Sequence, residues 1–111
     1  MSAPRYTVVW TAVALADVER LAAYLVDESP GRADAILERI ISRAESLGRL
    51  PERGRTPPEL RSIGDQTWRE LQERPWRILY RIAGPDRVEI HGVIDGRRTL
   101  MDVLLERILG A

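Results

Sequence analysis

Apolar residues recur along this chain with two different periods, and the switch between them separates a helical first half from a strand-rich second half. Tyr6-Thr7-Val8-Val9-Trp10 is β-branched and aromatic, which predicts a short strand. Thr11 follows as a helix cap. Val13, Leu15, Val18, Leu21, Ala22 and Leu25 then form an apolar stripe near helical spacing, with Asp17, Glu19 and Arg20 largely outside it. A helix from about Ala12 to about Asp27 is expected. Ser29-Pro30-Gly31 both breaks it and offers a new start, because serine caps helices and proline suits a first turn. Ala33, Ile36, Leu37, Ile40, Ile41, Ala44 and Leu47 step by three and four, the strongest periodic signal in the sequence. Gly48 stands where a helix ends in a left-handed residue. Two helices joined by so short a break predict an antiparallel hairpin.

Leu50 to Gly64 holds Pro51, Gly54, Pro57, Pro58 and Gly64, which predicts a loop with at most one helical turn around Glu59-Leu60-Arg61. Three strand-like runs follow: Thr67 to Glu73, Trp76 to Ile82, and Arg87 to Ile94. Arg74-Pro75 and Ala83-Gly84-Pro85-Asp86 are connections short enough to require antiparallel pairing in a meander. Asp95-Gly96 ends the last run, and Leu100, Val103, Leu104, Arg107 and Ile108 predict a C-terminal helix reaching Leu109. The expected fold is α+β in the order β-α-α-β-β-β-α, with a helix hairpin packed on an antiparallel sheet in one domain spanning residues 1–111.

Alternation along the second run of the meander sorts its chemistry. Trp76, Ile78, Tyr80 and Ile82 share one face, and Arg77, Leu79 and Arg81 share the other. The first set should pack on the helices. The second presents two guanidiniums on an open face, where cross-strand pairing with Glu70, Glu73 or Glu89 is the simplest expectation. The side taken by Arg69 depends on register. Trp68, Trp76 and Trp10 are expected to pack in the core against the hairpin rather than to stack bases.

At this point a resemblance becomes specific. Trp76-Arg77-Ile78-Leu79-Tyr80 resembles the aromatic-Arg-aliphatic-aliphatic-Tyr strand of RelE/ParE toxins of type II toxin–antitoxin systems. Trp68-Arg69-Glu70-Leu71 is similar to the family's aromatic-Arg-Glu-Leu strand, and Val93-Ile94-Asp95-Gly96-Arg97-Arg98 to its Val-x-His-Gly-Arg-Arg segment. The N-terminal strand and hairpin fit as well, with Tyr24 in the usual position on the first helix.

The resemblance implies a toxin neutralised by a cognate antitoxin and assembled with it in an oligomer. Two activities occur on that fold. ParE-type members inhibit DNA gyrase and hence replication; RelE-type members cleave mRNA on the ribosome without metal. Cleavage needs a base, an acid and cations facing one phosphorane. For it the resemblance nominates Arg77 and Arg81 as phosphate-stabilising cations, with Glu59 or His91 as acid/base. Against it, the family's His before Gly-Arg-Arg is Asp95 here, and no tyrosine follows Tyr80. The chain therefore resembles ParE more than RelE. Under that reading Arg69, Arg77, Arg81, Arg97 and Arg98 are partner contacts, and the leucine-dense stretch 100–109 either covers the core or is a region where an antitoxin docks. A degenerate toxin that only binds its antitoxin is the third alternative.

Composition narrows this further. There are 111 residues, no cysteine, and 17 basic against 17 acidic residues, every basic one arginine. The absence of cysteine excludes disulfides and thiolate metal sites, and with one histidine leaves no zinc ligand set; no metal or cofactor is expected. Zero net charge argues against coating nucleic acid by bulk charge. The N-terminus has no apolar signal core and no run reaches membrane-spanning length, so a cytoplasmic protein is expected.

Overall fold

The computed structural model describes residues 5–64, 66–98 and 101–103. Strand β1 (Thr7–Trp10) runs into helix α1 (Ala12–Glu28), capped as expected by the Thr11 side chain, whose Oγ1 accepts from Ala14 N at 3.2 Å. Helix α2 (Ala33–Glu45) follows, then a proline-bearing loop with a four-residue helix α3 (Pro58–Arg61) at the predicted place. Strands β2 (Arg69–Glu73), β3 (Trp76–Ile82) and β4 (Arg87–Asp95) complete a sheet in the order β1-β4-β3-β2. Residues 101–103 are helical; the rest of the expected C-terminal helix lies outside the described residues.

The meander β2-β3-β4 is antiparallel, as its short links require, whereas β1 joins the edge of β4 in parallel. The sheet is therefore mixed, because β1 reaches β4 through the helices and not through a tight turn. Arg69 lies opposite Tyr80 and Glu70 opposite Leu79. Between β3 and β4 the register slips at Leu79/Tyr80, so that Gly92 pairs with Leu79 and Ile90 with Tyr80 while His91 is the extra residue.

Helices and sheet meet in one core: Leu25, Ile36, Ile40, Ala44 and Leu47 pack on Leu71, Ile78, Tyr80, Val88, Ile90 and Val93, with Trp10 and Trp76 at its margin. A fully buried Ile or Leu in such a layer contributes about 2 kcal/mol. One polar group enters it. Asp17 is buried on α1, accepts the Val93 N–H of β4 at 3.0 Å through Oδ2, and pairs with Arg20 at 2.6 Å through Oδ1. It clips α1 to the stretch of β4 that β1 is too short to cover.

Two expected helix signals act differently. Ser29 ends α1, its N–H bonded to Leu25 O, and α2 begins only at Ala33 with no side-chain cap. Gly48 is not left-handed: α2 tightens into a 3-10 turn over Ser46–Gly48, and the positive φ falls at Leu50 (49°). The apolar stripe of α1 is also displaced, since Val13 and Leu15 are exposed while Ala14 is fully buried.

Candidate functional site

The sheet face turned away from α1 and α2 is not open. Leu60 of α3 and Val103 cover Leu79 and Ile94 there, with Trp68 alongside. This corrects the expectation for Trp68, which the Arg69–Tyr80 register puts on the opposite side of the sheet from the helix core.

Arg77 is the centre of this face, and it is buried rather than presented to solvent. Its Nε and Nη2 donate to Glu70 Oε1 at 2.7 and 2.5 Å, and Nη1 and Nη2 donate to Glu59 Oε2 and Oε1, both at 2.8 Å. The Glu70 side chain, 1% exposed, receives Arg55 on its other oxygen at 2.8 Å. Arg55, Glu70, Arg77 and Glu59 thus alternate in sign and neutralise one another. The forked contact to Glu59 raises the Arg77 pKa above its already high value, with Glu70 adding to it against the cost of burial. Glu59, the general-base candidate of the resemblance, is the carboxylate that forks onto Arg77.

Arg81 and His91 belong to a second cluster on the same face. Glu89 Oε1 accepts from Arg81 Nε at 2.8 Å and contacts His91 Nε2 at 3.0 Å, and its Oε2 lies 3.1 Å from Arg87 Nη2. These contacts, His91 first and Arg81 second, lower the Glu89 pKa from 4.5 to about 2. Trp68 meets the His91 ring edge-on at 4.8 Å and lies under the Arg81 guanidinium at 5.9 Å. Arg77 and Arg81 are four residues apart on β3, about 13 Å along the strand. The four nuclease candidates are therefore divided between two ion-paired groups: Arg77 with Glu59, and Arg81 with His91.

The partner-contact candidates separate too. Arg69 is on the helix side, its Nη1 donating to the carbonyls of Glu52 and Gly54 at 2.9 and 3.0 Å, so it fastens the loop. The same loop is held by Tyr80, fully buried, whose hydroxyl donates to Pro51 O at 2.5 Å and accepts from Gly54 N at 2.9 Å. Gly54 is needed there, because a Cβ would strike the Tyr80 hydroxyl and sit 2.8 Å from Glu70 O. Arg97 and Arg98 lie in the wall of a groove of about 840 Å³ between α1 and the ends of β3 and β4, and Arg97 also borders the cleft beside Arg77. Arg97 forks onto Asp95 (Nη2 to Oδ2 2.6 Å), which lowers the Asp95 pKa. Val13, Arg20, Tyr24 and Trp76 share that groove; Tyr24 is 53% exposed, and apart from the family resemblance no local pattern in the sequence marks it.

Among the described residues no helix is long and apolar enough to cross a membrane. Nor do they contain a group of three or more His, Cys, Asp or Glu arranged to hold a metal ion.

The comparisons with known proteins agree on one fold. A family model for the ParE toxin of the parDE type II toxin–antitoxin system matches residues 8–100. A solved structure described as a chromosomal ParDE toxin–antitoxin system from P. aeruginosa is similar with a TM-score of 0.68 at 21% identity, over 84% of this chain and 98% of that one. A chain of the RelBE2 toxin–antitoxin complex from Mycobacterium tuberculosis is similar with a TM-score of 0.58 at 26% identity, over 82% of this chain and 91% of that one. No curated protein sequence matches.

Proposed function

Because the chain belongs to the ParE toxin family of type II toxin–antitoxin systems, we propose that it arrests growth by binding and inhibiting DNA gyrase, and that a cognate antitoxin neutralises it. The family supplies the target; the geometry supports the mode. One observation carries it: the Arg77 guanidinium is held by Glu59 and Glu70, so the cation that RNA cleavage requires faces two carboxylates instead of a free phosphate site. The histidine that would serve as acid/base belongs to the Glu89 group further along the sheet. Arg77 is held by Glu59 and Glu70, and Arg81 by Glu89, so each candidate cation faces a carboxylate where cleavage would need it to face a phosphorane. Inhibition by binding needs no such cation.

The groove beside α1 suits the antitoxin. It combines the apolar Val13, Tyr24 and Trp76 with Arg20, Arg97 and Arg98, a match for a segment carrying both apolar and acidic side chains. Expression under tight control tests the function. Loss of negative supercoiling and DNA damage, with bulk mRNA intact at the onset of arrest, is the expected result. Early mRNA fragmentation with supercoiling preserved would establish the endoribonuclease reading instead. No arrest, alongside tight antitoxin binding, would leave only a binding module.

A further inference from the structure

Leu50 is, among the described residues, the one residue other than glycine with a positive φ (49°), and its side chain is 64% exposed. In that left-handed conformation a leucine Cβ crowds the following carbonyl oxygen, a conflict that glycine escapes and asparagine tolerates. Burial does not offset the strain, since the apolar side chain stands in solvent. The backbone on both sides is clamped. Tyr6 N donates to Gly48 O at 2.8 Å, Tyr80 holds Pro51 O and Gly54 N, and Arg69 Nη1 holds the carbonyls of Glu52 and Gly54. The loop thus presents an apolar tip on a rigid base, so little ordering cost remains for a partner to meet.

The charge around the tip is one-sided. Arg5, Arg49 and Arg53 line a cleft of about 400 Å³ beside the loop, and Arg69 anchors the loop from β2. Among the described residues none of the four is ion-paired: Arg53 Nη2 donates to the Ser46 hydroxyl and Arg69 to the two carbonyls, whereas Arg20, Arg55, Arg77, Arg81 and Arg97 each hold a carboxylate. The carboxylates at hand are Glu45, which accepts from Trp10 Nε1 at 3.0 Å, and Glu52 of the loop itself. The loop stands at the Arg69 end of β2, and the groove beside α1 is lined by Trp76 and Asp95 at the other end of the meander. Different partners can therefore occupy the two surfaces.

We propose that Leu50 and its arginine rim are the surface with which the toxin grips its target, a folded protein presenting an apolar pocket edged by carboxylates. This rests on the reading of the chain as a toxin that acts by binding a protein. An apolar anchor ringed by polar groups is how binding energy concentrates at protein interfaces. Guanidiniums without carboxylates of their own complement an acidic edge and steer its approach. A leucine held where glycine or asparagine would sit with less strain is the mark of a side chain kept for contact and not for the fold.

The test uses the full chain with Leu50→Gly and Leu50→Asn, which suit the backbone and delete the apolar tip. Both should unfold in urea at a midpoint no lower than that of the natural chain. In a supercoiling assay with gyrase and relaxed plasmid, each should need about tenfold more protein for the same inhibition. Arg5→Ala combined with Arg49→Ala, which removes none of the clamping contacts, should weaken inhibition several-fold at low salt and less as salt rises. Inhibition unchanged in the Leu50 variants would overturn the proposal. So would a natural dimer that Leu50→Gly dissolves while inhibition persists, since a second copy would then be the occupant. Should the natural chain leave gyrase untouched, the proposed function fails and growth arrest at matched expression decides this surface: arrest lost in the Leu50 variants supports it, and arrest retained, or absent even from the natural chain, overturns it. Should both Leu50 variants fold poorly, the double arginine variant decides, and unchanged potency there overturns the proposal.

Discussion

Replacing Arg77 by alanine isolates what the strand arginine does in this protein. The change removes two donors from Glu70 Oε1, at 2.7 and 2.5 Å, and the fork to Glu59. Glu70 is left buried with Arg55 alone on its other oxygen. Breaking a buried ion pair costs about 3–5 kcal/mol, because one charge remains desolvated without compensation. The surviving Arg55 contact places Arg77→Ala near the lower end, about 3 kcal/mol. At about 4 °C per kcal/mol for a domain of this size, Tm should fall by about 12 °C. Urea unfolding followed by tryptophan fluorescence measures the loss. Glu70→Ala and the double variant complete a cycle whose coupling energy should reach about 1–3 kcal/mol. A loss below about 1 kcal/mol with no coupling to Glu70 would refute the reasoning, since a guanidinium that costs nothing to remove cannot be holding a buried carboxylate.

Other outcomes follow from individual contacts. Tyr80→Phe leaves Pro51 O without its donor and Gly54 N without its acceptor, and should cost about 2 kcal/mol and speed proteolysis within residues 49–64. Burial raises the Tyr80 pKa above 10.0, so its contribution is complete below that value and is lost as pH rises through the folded-state pKa; the natural chain should weaken more than Tyr80→Phe at alkaline pH. Glu89 should titrate near 2 by NMR and move back towards 4.5 in His91→Ala; the stability it supplies is present above 4.5 and disappears as pH falls towards 2. Asp17→Ala uncaps the Val93 N–H inside the core and should cost about 2 kcal/mol in urea unfolding.

The periodic elements were legible in the sequence because local spacing dictates them. The stripe from Ala33 to Leu47 and the alternation from Trp76 to Ile82 put Ile40, Leu47, Ile78 and Tyr80 in the core as expected. The pairing of Arg81 with Glu89 and of Arg77 with Glu70 was within the expected set of cross-strand partners. What escaped depended on register or on distant contacts. The side taken by Trp68 is fixed by Arg69 meeting Tyr80 across β2 and β3, which no local pattern reveals. Arg77 was read as exposed because its cover, Glu59, arrives from 18 residues earlier on a loop whose path composition does not encode. Ser29 and Gly48 carried valid end signals, but the turn before α2 and the 3-10 turn after it used them otherwise. The parallel placement of β1 likewise follows from the crossover through α1 and α2 and not from any feature of Thr7–Trp10.

The measurement that bears most directly on the mode of action pairs two reactions with one purified protein. The chain is added to gyrase with relaxed plasmid, and separately to a translating mixture with labelled mRNA. The geometry at Arg77 and Glu59, with the family it belongs to, predicts that supercoiling is inhibited while the mRNA stays intact, and that the antitoxin restores gyrase. Intact supercoiling with site-specific mRNA cuts that vanish in Arg77→Ala would contradict the account.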